Sequence, residues 1–154
     1  MSPDIAAADA QLLVRLLVAA ALSAALGWER ERARKSAGLR THMLVGVGSA
    51  LFVVLGDAMV AHYGGNDGFR SDPARLVQAV ATGIGFLGAG TIFMAPENRR
   101  VQGLTTAASI WATAAVGAAA ALERYVLAAG STAILVVVLH VLTRFTPQHG
   151  RDAG

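Results

Sequence analysis

The sequence contains no cysteine and carries little charge. Asp, Glu, Lys and Arg make up 15% of the 154 residues, whereas about a quarter is usual in soluble proteins. Without cysteine the chain has no disulfide, no thiolate nucleophile and no Cys-based zinc site. No segment alternates apolar and polar residues with period two, which argues against membrane strands. These absences direct attention to the apolar residues.

Apolar residues make up 55% of the chain and occur in long blocks. Each block approaches the roughly 20 residues that a helix needs to cross a bilayer. The five blocks are 11–28, 41–60, 76–94, 104–122 and 125–142. We predict an all-α, polytopic membrane helix bundle of about five transmembrane helices over 1–145, followed by a short polar tail, 146–154. Only Glu123 and Arg124 separate the last two blocks, so a four-span protein with a partly interfacial final hairpin is the alternative.

Polar residues at the starts of two spans predict how those spans begin. Asp72 and Pro73 fit the N-cap and first helical position of the third span. The first ten residues contain Asp4 and Asp9 but no Lys or Arg, whereas a secretory signal needs a basic start. We therefore expect the first span to remain in the membrane.

The basic residues predict the orientation of the chain. The net charge is +3 and the pI is near 10.2, but the cations lie in loops beside apolar blocks, which favours lipid headgroups over nucleic acid as partners. Nine of the thirteen Lys and Arg residues fall on the side of the 29–40 loop, and three fall on the other. The positive-inside rule then places the N-terminus outside and the C-terminus inside. Arg15, within the first span, is expected to reach the outer headgroups.

Several motifs resemble, in order, the membrane domain of the MgtC/SapB family of bacterial membrane proteins. The matching blocks are GWERE at 27–31, AGLRTHMLV at 37–45, DPAR at 72–75, GIGFLGAG at 83–90 and GLTTAASIW at 103–111. The resemblance implies an inner-membrane protein linked to growth at low magnesium and, in pathogens, to survival inside host cells. It also implies action on another membrane complex such as ATP synthase, while a magnesium-transport role has been presumed for the family.

The chain departs from the family pattern in two respects. Many members carry a soluble C-terminal domain, and the sequence here has no room for one after the last span, so regulation by that domain is not carried over. Gln102 stands where a basic residue is expected before the Gly-Leu-Thr-Thr block, which weakens an anion-binding interpretation of that block.

Small and polar residues form a stripe on each of two spans. The Gly83-x-Gly85-x-x-Gly88 pattern matches a dinucleotide fingerprint, but it lacks the preceding strand that this fingerprint needs. The third-span stripe and the fourth-span stripe are, respectively, Gln78, Thr82, Gly85 and Thr106, Ser109, Thr113. We predict that the two spans pack through these faces, within a protomer or across a dimer interface. The alternative is that the stripes line a polar cavity.

Two further groups of residues are candidate sites. The inner loop offers a polar cluster that either gates or docks a partner, or is simply solvated; its members are Glu29, Arg40, Thr41 and His42. Oxygen ligands for a hard cation are weakly indicated on the opposite side at Asp57, Asp67 and Asp72. No nucleophile–base set is apparent, so we expect no enzyme activity and no cofactor.

These patterns lead to one functional hypothesis and one rival. The first is a non-enzymatic inner-membrane protein with a regulatory role in magnesium homeostasis and stress or virulence adaptation. It is expected to form a homodimer or higher homo-oligomer, to contact membrane lipids and another membrane complex, and to bind no nucleic acid. The rival is a small homo-oligomeric transporter or channel for Mg²⁺ or protons.

Overall fold

The computed structural model describes residues 3–64, 72–94 and 101–145. Five helices contain most of them, and they are α1 (Pro3–Arg32), α2 (Leu39–Tyr63), α3 (Pro73–Ala89), α4 (Leu104–Ala121) and α5 (Tyr125–Phe145). The prediction of an all-α bundle is confirmed. Each predicted span falls on one of these helices. The starts of α4 and α5 agree with the prediction, whereas α1 extends beyond the predicted span 11–28 at both ends. The predicted tail, 146–154, lies outside the described residues.

The helices are long and apolar enough for a membrane protein. Three stretches in the described part of the chain meet the length and composition of a span, namely Asp9–Arg32, Leu39–Tyr63 and Leu104–Ala121. Two shorter apolar stretches are Ala74–Ala89 and Tyr125–Val141. Large apolar side chains such as Phe86 and Val126 are exposed, as expected where lipid is the solvent. The chain is a polytopic helical membrane protein.

The third helix begins as predicted and ends earlier than predicted. Asp72 Oδ1 accepts a hydrogen bond from the backbone N–H of Ala74 at 3.0 Å, and Pro73 occupies the first turn. The helix was predicted to reach residue 94, but it ends at Ala89, where Gly90 and Thr91 turn the chain. A two-residue antiparallel pair, β1 (Phe93–Met94) with β2 (Val101–Gln102), then leads into α4. The sequence argued against strands only as membrane spans, and this short pair does not contradict that. The error lies in the predicted span 76–94, which included β1, because two residues per strand leave no alternating pattern to read.

The core of the bundle lies between α1, α2 and α4, which pack on one another. Helix α5 packs against α1 and α4, while α3 packs on α4 and less extensively on α2. The ends of α1 and α5 lie beside the starts of α2 and α4. We call this the basic end of the bundle, because it carries the cations of the α1–α2 loop.

At the opposite end of the bundle, Arg15 of α1 contacts the end of α4. Its Nη1 donates to the carbonyl of Ala121 at 3.1 Å, and its guanidinium pairs with Glu123. A cation at the last carbonyls of a helix interacts favourably with the helix dipole. The expectation that Arg15 reaches toward headgroups is thus replaced by a role as a C-terminal cap of α4.

Candidate functional site

Arg30 is the largest fully buried side chain of the described residues, although it is a cation. Its Nε donates to Glu29 Oε2 at 2.5 Å, and its Nη2 donates to the carbonyl of Leu139 in α5 at 3.3 Å. Its Nη1 is buried without a hydrogen-bond partner among the described residues. A buried charge is costly unless it is paired, so the Arg30–Glu29 pair and the α5 carbonyl together make this position tenable.

His42 lies beside this pair and joins α2 to α4. Its ring is fully buried, with Nδ1 at 2.8 Å from the carbonyl of Gly38 and Nε2 at 3.1 Å from Ser109 Oγ. Arg30 and Glu29 are both near enough to interact electrostatically with the ring. We call these four side chains, Glu29, Arg30, His42 and Ser109, the polar core.

The hydrogen of Ser109 has two competing acceptors in the polar core. Ser109 Oγ lies 2.8 Å from the carbonyl of Thr106 as well as 3.1 Å from His42 Nε2. Because the Gly38 carbonyl only accepts, Nδ1 carries a hydrogen, and a neutral ring leaves Nε2 as an acceptor. With a neutral His42, Nε2 and the Thr106 carbonyl compete for the one Ser109 hydrogen, whereas a charged His42 would donate to Ser109 and leave the bond to Thr106 intact.

The backbone around the polar core is held by the GWERE block. Glu31 Oε2 accepts from the backbone N–H of Leu39 at 2.9 Å and so satisfies the start of α2. Gly27 admits α2 closely, because a Cβ there would lie 2.7 Å from the Cα of Leu39. Trp28 is 56% exposed on the surface of the bundle, a position suited to the membrane interface.

The same three helices meet again farther from the basic end. A Cβ on Gly117 would lie 2.2 Å from the carbonyl oxygen of Gly46. A Cβ on Gly46 would lie 2.7 Å from the Cβ of Ser23. Glycine at position 117 lets the backbones of α2 and α4 touch, and glycine at position 46 leaves room for the Ser23 side chain of α1.

The structure divides the predicted polar cluster. Glu29, with 11% of its side chain exposed, and His42 point into the bundle, whereas Arg40 and Thr41 are exposed. The inward pair is completed by Arg30 and Ser109, which come from neighbouring and distant parts of the sequence. The predicted cluster therefore separates into a buried half and a solvent-facing or lipid-facing half.

The two predicted stripes do not face each other within one chain. The fourth-span stripe is buried, with Thr113 Oγ1 donating to Ser109 O at 2.7 Å. On the third-span stripe Gln78 and Thr82 are exposed, and no described atom lies within 4 Å of a Cβ built on Gly85. The prediction that α3 and α4 pack through both stripes is wrong within a protomer.

Other residues of α3 make the contact with α4 and its neighbours. Gly88 meets Ala107, with a Cβ-to-Cβ distance of 3.6 Å if a Cβ is built on the glycine. Val80 and Ile84 pack against a small buried cluster that includes Val45 and Ile110. The face of α3 that packs is therefore the aliphatic one, not the one that carries Gln78 and Thr82.

The three candidate cation ligands are not gathered in the described residues. Asp72 is engaged as the cap of α3, and Asp57 is exposed on α2. Asp67 lies outside the described residues. No group of three or more His, Cys, Asp or Glu side chains able to hold a metal occurs among residues 3–64, 72–94 and 101–145.

Arg30 is the residue whose importance the sequence interpretation missed. The sequence interpretation counted it among the cations of the 29–40 loop, whereas in the structure it pairs with Glu29. The signal available was its helical phase: Ala19, Ser23, Leu26 and Arg30 recur at the spacing of one helix face, and all four are buried.

Five apolar helices around a buried ion pair and a buried histidine define a polytopic helical membrane protein with a polar core at one end. The family model described as the MgtC family matches residues 16–147. The chain belongs to the MgtC family.

Curated relatives match most of this chain. The putative magnesium transporter YhiD of Escherichia coli strain K12 is 41% identical over 137 residues, covering 89% of this chain and 63% of the relative. Protein SrpB of Synechococcus elongatus is 47% identical over 115 residues, covering 70% and 61%. Protein MgtC of Salmonella typhimurium strain LT2 is 35% identical over 136 residues, covering 88% and 54%. The chain thus spans less than two thirds of the length of these relatives. No solved structure matches it.

Proposed function

We propose that this protein is a non-enzymatic, multi-pass protein of the bacterial inner membrane that regulates magnesium homeostasis and stress or virulence adaptation. It acts by contact with another membrane complex, of which ATP synthase is the candidate that the family resemblance supplies. Family membership and the magnesium-related name of the YhiD relative support this proposal. The contact is made by a homodimer or larger oligomer, for which the exposed third-span stripe offers a lipid-facing surface rich in small and polar groups.

The observation that carries the regulatory proposal is where the polar side chains direct their hydrogen bonds. Thr113 and Ser109 donate to carbonyls of their own helix, and His42 is engaged by Gly38 and Ser109. A conducting path needs polar groups that face water along its length. Groups that are buried and bonded within the bundle favour a rigid scaffold over a conduit.

The exposed cations on either side of the α1–α2 loop are the proposed contact surface for a partner. The positive-inside rule places this loop in the cytoplasm, and Arg32 at the end of α1 and Arg40 at the start of α2 are exposed. Exposed basic groups steer an acidic partner and set its orientation more than its affinity. The rigid polar core beneath would hold this surface in one geometry.

The experiment that tests the proposal is a pair of measurements on the same protein. Purified protein in liposomes is assayed with Mg²⁺- and proton-sensitive dyes, and cells lacking the gene are tested for growth at low magnesium. We expect rescue of growth with no flux above protein-free liposomes. Flux that disappears in Glu29→Gln or Asp72→Asn would overturn the regulatory proposal.

One observation favours the rival, a small homo-oligomeric transporter of Mg²⁺ or protons. Arg30 Nη1 is buried and unbonded among the described residues, and an ionisable group at membrane depth often belongs to an ion pathway. If Arg30 belongs to such a pathway, flux in liposomes will fall in Arg30→Lys while folding is kept.

A further inference from the structure

A polar cavity of about 430 Å³ lies between the α1–α2 loop and the start of α4. The loop contributes Arg34, Lys35 and Ser36, and the start of α4 contributes Gly103, Thr105 and Thr106. Among the described residues the lining contains two cations and no Asp or Glu. The positive charge of this lining therefore favours an anionic ligand.

The two cations are available to a ligand. Within the described ranges the ion pairs engage Arg15, Arg30 and Arg75, and neither Arg34 nor Lys35 forms one. Both side chains are exposed at the basic end. Two cations without ion-pair partners on one wall of a cavity favour an anionic group, such as a phosphate, that accepts hydrogen bonds from both of them.

The opposite wall adds positive potential of a second kind. Helix α4 is 18 residues long, has no acidic residue in its first turn, and its N-cap Gly103 supplies no side-chain hydrogen bond. The N–H groups of such a first turn are unsatisfied by the helix itself and favour an anion. The helix start reinforces the cations but would not define the ligand without them.

An apolar groove of about 330 Å³ lies beside this cavity along α4. The two spaces share Leu104 and Thr105 in their linings. The groove then runs along Ala108 and Ala112 of α4, with Leu135 and Val138 of α5 opposite. A free phosphate would use only the polar cavity, whereas an amphiphile would fill both spaces at once.

We propose that the cavity and the groove together form a binding site for one anionic phospholipid. The phosphate-bearing headgroup lies between Arg34, Lys35 and the start of α4. One acyl chain lies in the groove between α4 and α5. Charge complementarity sets the headgroup class, because basic pockets between membrane helices select anionic lipids.

Native mass spectrometry of the full chain, delipidated in detergent, tests the site. The probes are phosphatidylglycerol, phosphatidylcholine with the same acyl chains, and inorganic phosphate. We expect phosphatidylglycerol to bind in preference. The double variant Arg34→Gln/Lys35→Gln should weaken it roughly thirtyfold, since each cation near an anionic surface contributes about fivefold. Its control, Arg32→Gln/Arg40→Gln, removes the same charge from the same region outside the cavity and should leave binding unchanged.

A second pair of variants tests the acyl chain. Ala108→Phe fills the groove, whereas Ala79→Phe places the same side chain on the exposed surface of α3, outside the linings of both spaces. We expect only Ala108→Phe to weaken phosphatidylglycerol binding. Thermal unfolding in detergent checks that both variants fold.

Three results would overturn the lipid site. Equal weakening by both charge variants would mean general attraction to basic protein. Equal binding of phosphatidylcholine would remove the selectivity for anions. Displacement by inorganic phosphate, with Ala108→Phe binding like the wild type, would identify a free phosphate as the occupant.

Discussion

Gly46 of α2 and Gly117 of α4 lie in a different environment from Gly83 and Gly85 of α3, although all three helices are apolar. Gly46 and Gly117 bring two backbones together, so that an added Cβ would clash at 2.2 Å. Gly83 and Gly85 have no described atom within 4 Å of an added Cβ. Small residues in membrane helices permit close packing, but they do not by themselves tell where it occurs.

The polar side chains of the α1–α2–α4 region and those of α3 also lie in different environments. In the α1–α2–α4 region, Arg30, His42 and Ser109 are buried and bonded to other helices. On α3, Thr82 is exposed and donates to Gln78 of its own helix at 2.8 Å. The first region is therefore fixed by contacts that are specific between helices, whereas α3 presents its polar side to whatever surrounds the bundle.

The largest expected difference between the two regions concerns their ion pairs. Arg30→Met leaves Glu29 without its partner in a buried setting, and breaking such a pair costs about 3–5 kcal/mol. Arg75 pairs with Asp72 at 4.0 Å with 85% of its side chain exposed, so Arg75→Met should change stability little. The measurement is the unfolding free energy during transfer from mild detergent to a denaturing one, followed by circular dichroism.

A double variant separates the charge from the packing of this pair. Glu29→Met combined with Arg30→Met removes both charges, and replacing a buried pair with apolar residues is often close to neutral. We expect it to recover most of the stability lost in Arg30→Met. If the double variant is as unstable as the single one, the packing of the Arg30 side chain, not its unpaired partner, stabilises the bundle.

The next largest difference concerns the glycines. Gly117→Val places atoms against the Gly46 backbone, which cannot give way, and overpacking of this kind costs about 1–3 kcal/mol or more. Gly85→Val adds the same side chain at an open position and should leave the stability of the protomer unchanged. Melting temperatures in detergent measure both. Equal losses would show that α3 is packed as tightly as α4.

Gly85→Leu also tests assembly. Gly85 lies on the third-span stripe, which the sequence analysis offers as an interface within a protomer or across a dimer. If that stripe is an interface between copies, size-exclusion chromatography with light scattering will show a smaller particle for Gly85→Leu, while the melting temperature of the protomer stays near the wild-type value.

The sequence predicted which segments are helical, but not which face of each helix packs. Length and hydropathy are enough to locate helices in a membrane, and Asp72 was identifiable as a cap because its role is local. In lipid the outward face is as apolar as the inward one, so amphipathicity does not mark the buried side. Gln78 and Thr82 therefore could not be assigned outward, nor Thr106 and Ser109 inward, before the helices were placed.

The polar core was only partly predictable for a related reason. Glu29 and Arg30 are adjacent, so their pairing could be proposed from the sequence. His42 and Ser109 are separated by 67 residues, and their meeting depends on how α2 and α4 pack. Arg30 was read as a loop residue because its neighbours are charged, whereas α1 continues to Arg32 and carries it inside.

The smallest expected difference concerns two hydroxyl groups. Ser109→Ala leaves His42 Nε2 buried without a partner, and an unsatisfied buried group costs about 1–3 kcal/mol. Thr82→Ala removes an exposed bond to its own helix and should cost well under that amount, since the freed carbonyl still has its backbone partner. Unfolding free energies measured as above test both.

His42→Phe, which removes the ring nitrogens, should then make Ser109→Ala nearly harmless, because the two residues act through one bond. If the losses from His42→Phe and Ser109→Ala simply add, the histidine and the serine do not depend on each other, and the polar core is not a single unit.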